Sequence, residues 1–149
     1  DWFKANCLSL NIKKTNFMFF GFKLLPCNNC NINLVIDNEP LVKVDYTKFL
    51  GVLIDSKLTF HQHISHVSSV ISKSLYFLHR SRKLISKANL LSLYFSLINS
   101  HLTYCIQLWG IIGKTRLNSL FLLQERAVRI ICNRSFLSHT KELFVSCGI

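Results

Sequence analysis

Two groups of metal-ligand side chains stand out in this 149-residue sequence: Cys27-Asn-Asn-Cys30 and His61-x-His63-x-x-His66. The cysteine spacing suits a zinc knuckle. A long stretch with predicted strands separates Cys30 from His61, which disfavours a shared zinc site and leaves zinc at Cys27 and Cys30 open. A redox role for that pair lacks the helix it needs, since Pro26 and an Asn-rich loop surround it. Tyr104-Cys105 with a distant His could suggest a thiol nucleophile, but Cys105 falls on the apolar side of a predicted helix, where Cys usually packs. The seven acids (Asp1, Asp37, Glu39, Asp45, Asp55, Glu125, Glu142) are scattered singly, so no paired-carboxylate metal motif forms. There is no Gly-rich phosphate loop and no Gly-x-Ser-x-Gly phrase.

The basic residues carry more. Lys and Arg number 18 against 7 acids, a formal charge of +11. Residues 61–149 hold 11 of these cations and 2 acids, against 7 cations and 5 acids in residues 1–60. Arg80, Arg82, Lys83 and Lys87 cluster around a predicted helix end. Arg126 and Arg129 share a helical face, with Asn133 and Arg134 beyond. Such groups make charge-assisted, sequence-independent contacts to phosphate oxygens. A structural account also exists: cations favour a helix C-terminus, and Glu125 can pair with Arg129 at i,i+4. The acid deficit favours a nucleic-acid partner over an anionic membrane surface.

Half the chain is hydrophobic and 12 residues are Phe, which excludes a disordered basic tail. Five Gly and 2 Pro exclude collagen-like and low-complexity classes. No secretory signal is recognisable, and 6 Cys is below a disulfide-scaffold density, so thiols in an intracellular compartment (nucleus or cytoplasm, not secreted) are expected.

The elements that must position these residues change character near residue 57. Residues 2–9 read as the end of a helix, and 15–22 as an aromatic strand. Segments 31–36 and 41–44 read as a hairpin around a four-residue turn, Asp37 to Pro40. Lys48 to Ile54 reads as a buried strand, with Gly51 marking a bulge or close approach. From Thr59 the period is helical. Ile64, Val67, Ile71, Leu75 and Leu78 form one stripe. Ser86 caps a second helix, carrying Leu90, Leu93, Leu97, Leu102 and Leu108 to about Gly110. A third runs from Lys114 to Asn133 with Leu117, Leu120, Phe121, Val128 and Ile131 inward, and a fourth covers 138–146. Ala88 to Gly113 lacks charge and is long enough to span a bilayer. Asn89, Ser92, Ser96, Asn99, Thr103 and Gln107 instead form a polar stripe, the mark of a bundle helix. The expected fold is α+β: an antiparallel part over 1–57 and a helical bundle over 58–149.

Four phrases in order resemble the C-terminal half of a reverse transcriptase of the non-LTR (LINE-like, jockey-type) retrotransposon family. Trp2, Asn6, Leu8, Leu10, Asn11, Lys14 and Thr15 resemble its palm motif D. Lys48-Phe49-Leu50-Gly51-Val52-Leu53-Ile54-Asp55, with Leu58, Phe60, His63 and Ile64, resembles the primer grip and the start of the thumb. Leu102-Thr103-Tyr104-Cys105 with Trp109-Gly110, then Leu123 to Ile130, resemble thumb phrases. Phe60 stands where the family commonly has Trp. The family's Tyr-x-Asp-Asp motif is expected upstream of Trp2 and is not in this sequence.

The resemblance implies a palm remnant followed by a thumb, with RNA template and DNA primer as partners and no membrane. It places Lys14 beside the incoming nucleotide's phosphates, where the bland alternative is a solvated turn. It implies a primer grip on a hairpin tip at Phe49, Leu50, Gly51 and Val52, whose Gly would let backbone approach the primer phosphodiester. The alternative is an ordinary strand. Arg80, Arg82, Lys83, Lys87, Arg126, Arg129 and Arg134 become candidate backbone contacts. The chain is expected to lack catalysis by itself and to need the N-terminal polymerase region. Mg2+ is expected for the complete polymerase, with no cofactor in this chain. The rival reading is a non-catalytic relic or interaction module.

Overall fold

The computed structural model describes residues 2–21 and 33–149. The chain divides into two compact units, Asp1–Thr59 and Phe60–Ile149. The architecture is α+β, with three two-stranded pairs among the described residues of the first unit and a helical bundle in the second.

The first helix, α1 (Trp2–Ala5), is shorter than the predicted 2–9. Cys7 takes a left-handed conformation (φ 53°), and the Leu8 N–H turns back to the Phe3 carbonyl at 2.9 Å. This six-to-one closure satisfies a terminal carbonyl and ends the helix. A 3₁₀ turn follows at Ile12–Lys14, capped by the Asn11 side chain, which accepts the Lys14 N–H at 3.2 Å. The aromatic strand contracts to β1 (Asn16–Phe17). Pro26, Cys27 and Cys30 lie outside the described residues.

The predicted four-residue turn is a two-residue one. Asp37 and Asn38 both have positive φ (48° and 62°), joining β2 (Val35–Ile36) to β3 (Glu39–Pro40). Asp and Asn tolerate that region, and the paired positive φ values match strand twist. Glu39 and Pro40 are therefore strand residues. The next segment, β4 (Val42–Lys43), pairs in parallel with β1 instead of closing the hairpin.

Lys48 to Ile54 is likewise not one strand. It folds as a hairpin, β5 (Tyr46–Phe49) and β6 (Val52–Asp55), with Phe49 opposite Val52. Leu50 (φ 44°) and Gly51 (φ 85°) form the turn, so Gly51 provides a left-handed turn residue and no bulge. Asp55 then organises the following turn: its Oδ1 accepts from the Lys57 and Thr59 N–H groups at 3.1 and 2.9 Å.

In the second unit, α2 (His61–Ser81) buries all five residues of the predicted stripe, together with His63. Phe60, just before it, is buried, so the aromatic anchor persists at that position. Ser86 caps α3 (Lys87–Tyr94) through the Asn89 N–H at 3.3 Å. The second helix does not run unbroken to Gly110. A π turn occupies Phe95–Asn99, α4 (Ser100–Thr103) follows, and the chain breaks at Tyr104-Cys105 before α5 (Ile106–Trp109). The inward row is Leu90, Tyr94, Ile98 and Trp109, while Leu108 is exposed. Two polar tips explain that choice. The Tyr94 hydroxyl accepts from Gln124 Nε2 at 2.7 Å. Trp109 Nε1 donates at 2.9 Å to the Tyr104 carbonyl that the break releases. Both rings can then be buried without an unmet polar group. Cys105 sits in the break itself (φ 51°), not on an apolar helix face.

The polar side chains of this region turn to their own backbone: Ser92 donates to Ala88 O at 3.3 Å and Thr103 to Asn99 O at 2.9 Å. Among the described residues, no helix is long and apolar enough to cross a membrane.

Helix α6 (Lys114–Ile131) packs along α2 and buries Leu120, Val128 and Ile131 as predicted, with Ala127 and Ile130. Phe121 is exposed, against prediction, and stacks on Phe144 of α7 (Lys141–Cys147) at 6.1 Å. The thiols of Cys132 and Cys147 meet at 3.3 Å where α7 returns to the end of α6.

Candidate nucleic-acid interface

Helices α2 and α6 run in parallel, so their C-terminal ends share one side of the bundle. His79 and Arg82 of the α2 end and Arg126, Arg129 and Ile130 of α6 line one cavity there. Arg134 and Phe136 close it, and it measures about 200 Å³. A second cavity of about 160 Å³, lined by Ser72, Leu75, Tyr76, His79, Arg126 and Ile130, shares three of those residues. The two form one groove between the helices, with Arg126 in its middle.

The local sequence explains how the loop residues reach the groove. Asn133 ends α6 in a left-handed conformation (φ 50°), which Asn tolerates better than most residues. The Arg134 N–H bonds back to the Arg129 carbonyl at 2.9 Å, closing the helix end and reversing the chain. Arg129 then fixes the loop. Its Nε donates to the Ser138 carbonyl at 3.0 Å, and its guanidinium lies 5.8 Å from the centre of the Phe136 ring. Its Nη2 meets Glu125 Oε2 at 3.5 Å, the predicted i,i+4 pair. Thr140 Oγ1 donates to the other Glu125 oxygen. Arg129 is thus paired with Glu125 and fixes the loop. Among the described residues, Arg82, Arg126 and Arg134 form no ion pair, so their charge is available to an anion in the groove.

Of the seven predicted backbone contacts, Arg82, Arg126, Arg129 and Arg134 come together here. Arg80, Lys83 and Lys87 are exposed and do not line the groove. Sequence reasoning missed His79, Tyr76 and Phe136. Their signal was present: Tyr76 and His79 follow Ser72 at helical spacing on one face of α2, and Phe136 follows a helix-ending Asn by three residues.

Elsewhere, Lys14 is exposed at the end of the 3₁₀ turn. At the β5–β6 tip, Phe49, Leu50 and Gly51 are exposed while Val52 is buried (2% exposed). His61 and His66 are exposed, whereas His63 is buried with its ring edge-on to Trp109 at 5.6 Å. Burial first, and then the nearby His66, lowers the His63 pKa from its ordinary 6.5. Among the described residues, no three His, Cys, Asp or Glu side chains come together as a metal site.

Comparison with known proteins bears out the resemblance read from the sequence. The chain is 25% identical over 134 residues to a probable RNA-directed DNA polymerase from transposon X-element of Drosophila melanogaster, covering 88% of this chain and 14% of that protein. It is 27% identical over 146 residues to the RNA-directed DNA polymerase from mobile element jockey of Drosophila funebris, covering 96% of this chain and 16% of that protein. The jockey polymerase of Drosophila melanogaster is 31% identical over 102 residues. The chain therefore spans only 14% and 16% of the lengths of the first two relatives. No protein-family profile matches the chain, and no solved structure does.

Proposed function

We infer that this chain, a relative of the RNA-directed DNA polymerases of non-LTR mobile elements, is the primer–template-holding part of such a polymerase. The helical unit acts as a thumb that grips the phosphate backbone of an RNA–DNA duplex. The observation that carries this reading is the groove between α2 and α6, where three arginines that form no ion pair among the described residues line one cavity beside Arg129. Phosphate contacts of this kind set affinity and register without reading sequence.

The first unit then corresponds to the end of a palm. Lys14 would stand on the nucleotide side, and the exposed tip Phe49-Leu50-Gly51 would meet the primer end, with Val52 anchoring the hairpin from within. That unit leaves Trp2, Phe20, Val42 and Tyr46 exposed, which supports its being part of a larger palm. The six described carboxylates, Asp37, Glu39, Asp45, Asp55, Glu125 and Glu142, do not fit a two-metal centre, since no three metal-binding groups converge among the described residues. Metal-dependent nucleotidyl transfer is accordingly assigned to other parts of the polymerase.

The test is binding of the purified chain to a labelled RNA–DNA duplex at low and moderate salt, followed by primer extension with Mg2+ and deoxynucleotides. Weak, salt-sensitive binding without extension is expected. Binding indifferent to salt would refute the thumb reading, and measurable nucleotide incorporation would refute the assignment of catalysis elsewhere. No binding at all would favour a relic without selected activity.

A further inference from the structure

Two aromatic rings flank the arginines of the groove, and neither is used by the core. Phe136 is 73% exposed and Tyr76 is 70% exposed, although each lines a cavity. Large exposed rings inside a cationic groove call for an occupant with a flat apolar face and a negative charge. We propose that this groove binds unpaired nucleotides of a single strand, stacking bases on Phe136 and Tyr76 while Arg82, Arg126 and Arg134 hold the intervening phosphates. The proposal rests on the thumb reading and specifies a ligand for the same groove.

Three observations favour a single strand over a duplex. First, Phe136 is held by the Arg129 guanidinium 5.8 Å from its ring centre, while most of the residue remains open to solvent. A base can take the open face, whereas base faces in a duplex are already stacked. Second, the two lobes of the groove, about 200 and 160 Å³, each hold one base or one phosphate at a time; a duplex reaches such a lobe only through a phosphate, whereas an unpaired base can enter it. Third, the two cavities share His79, Arg126 and Ile130. An aromatic platform thus stands on each side of a common cation, the arrangement by which single-strand binders alternate stacking with backbone contacts. The platform near Arg134 is also preorganised. Arg129 donates to Ser138 O, and the Ser135 and Ser138 hydroxyls meet at 3.0 Å. Little loop ordering would then be left to binding.

The experiment uses the full chain, a short single-stranded RNA of mixed sequence carrying 2-aminopurine, and an RNA–DNA duplex of equal length. Phe136→Leu and Tyr76→Leu keep apolar bulk and remove the ring; Phe136→Tyr keeps the ring. Each leucine variant is expected to lower single-strand affinity roughly five- to one-hundred-fold and to relieve the 2-aminopurine quenching. The salt slope and the duplex affinity should stay unchanged, and Phe136→Tyr should bind as the parent does. Circular dichroism would establish that the variants are folded, as expected at exposed positions. Leucine variants that bind the single strand as tightly as the parent, with duplex binding intact, would overturn this proposal and leave the thumb reading standing. Equal losses for strand and duplex in a folded variant would also overturn it. Failure of the parent chain to bind either probe would overturn both readings.

Discussion

Replacing Arg82, Arg126 and Arg134 together by Gln removes three unpaired cations from the groove and spares Arg129, whose hydrogen bonds hold the loop. Each phosphate contact to a duplex releases counterions worth about 0.9 in the slope of log affinity against log salt. If each of the three arginines meets one phosphate, the slope of the variant is shallower by about 2.7. Between about 50 and about 200 mM salt, the affinity advantage of the parent chain should therefore contract about forty-fold. Fluorescence anisotropy with a labelled RNA–DNA duplex over a salt series reads both quantities. The comparison variant replaces Arg80, Lys83 and Lys87 by Gln, removing the same formal charge from exposed positions outside the groove. It should change the slope by clearly less. An equal change in the two variants would refute the reasoning, because it would show that net charge is read and the groove is not.

Three further outcomes follow from the packing. His63 has a folded-state pKa lowered by burial, so the unfolded chain takes up its proton first as pH falls below 6.5. Thermal stability should decline from that pH down to the lowered folded-state value and level off beneath it, and His63→Gln should flatten this segment of a melting-temperature profile. Ile71 is fully buried at the centre of α2, and Ile71→Ala should cost about 2–5 kcal/mol in urea unfolding followed by helical circular dichroism. Asn133 holds a left-handed helix end, so Asn133→Gly should preserve duplex binding while Asn133→Val should weaken it, as measured by anisotropy, by displacing Arg134.

The legible parts of this fold are those where a local pattern and its burial partner coincide. The α2 stripe was readable because five apolar residues at helical spacing leave one consistent face. Ser86 was readable because a cap needs only its own side chain and the N–H three residues on. The errors fall where a long-range partner decides. Leu93 and Leu97 compete equally with Tyr94 and Ile98 for the inward row until Gln124, thirty residues away, donates to the Tyr94 hydroxyl. The break at Cys105 depends on Trp109 reaching back to the Tyr104 carbonyl, which no propensity encodes. The Asp37-Asn38 turn is shorter than the four residues read from the sequence, because paired positive φ permits a tighter reversal than the residue types alone demand, and the Leu50-Gly51 reversal lies inside a run whose apolar pattern reads as one strand. In the groove, the arginines were visible as charge. The aromatic walls had only their spacing as a signal, and it was outweighed because an exposed Phe or Tyr looks in sequence like a core residue.

A helix-dipole account of the basic cluster can be weighed against the binding account by counting charge. Parallel packing brings the C-terminal ends of α2 and α6 to the same side, and each end presents about half a negative charge. Neutralising both takes about one cation. Arg129 already has Glu125, so its pair is balanced. Arg82, Arg126 and Arg134 then exceed what the two dipoles require by about two positive charges. Three such guanidinium groups around one cavity of about 200 Å³ repel one another, which disfavours the empty groove. A purely structural cluster would relieve that repulsion with a second carboxylate, and Glu125 is the one acid in residues 114–140. The uncompensated charge is relieved when an anion enters, and a polyanion does so while also offering bases to the two exposed rings.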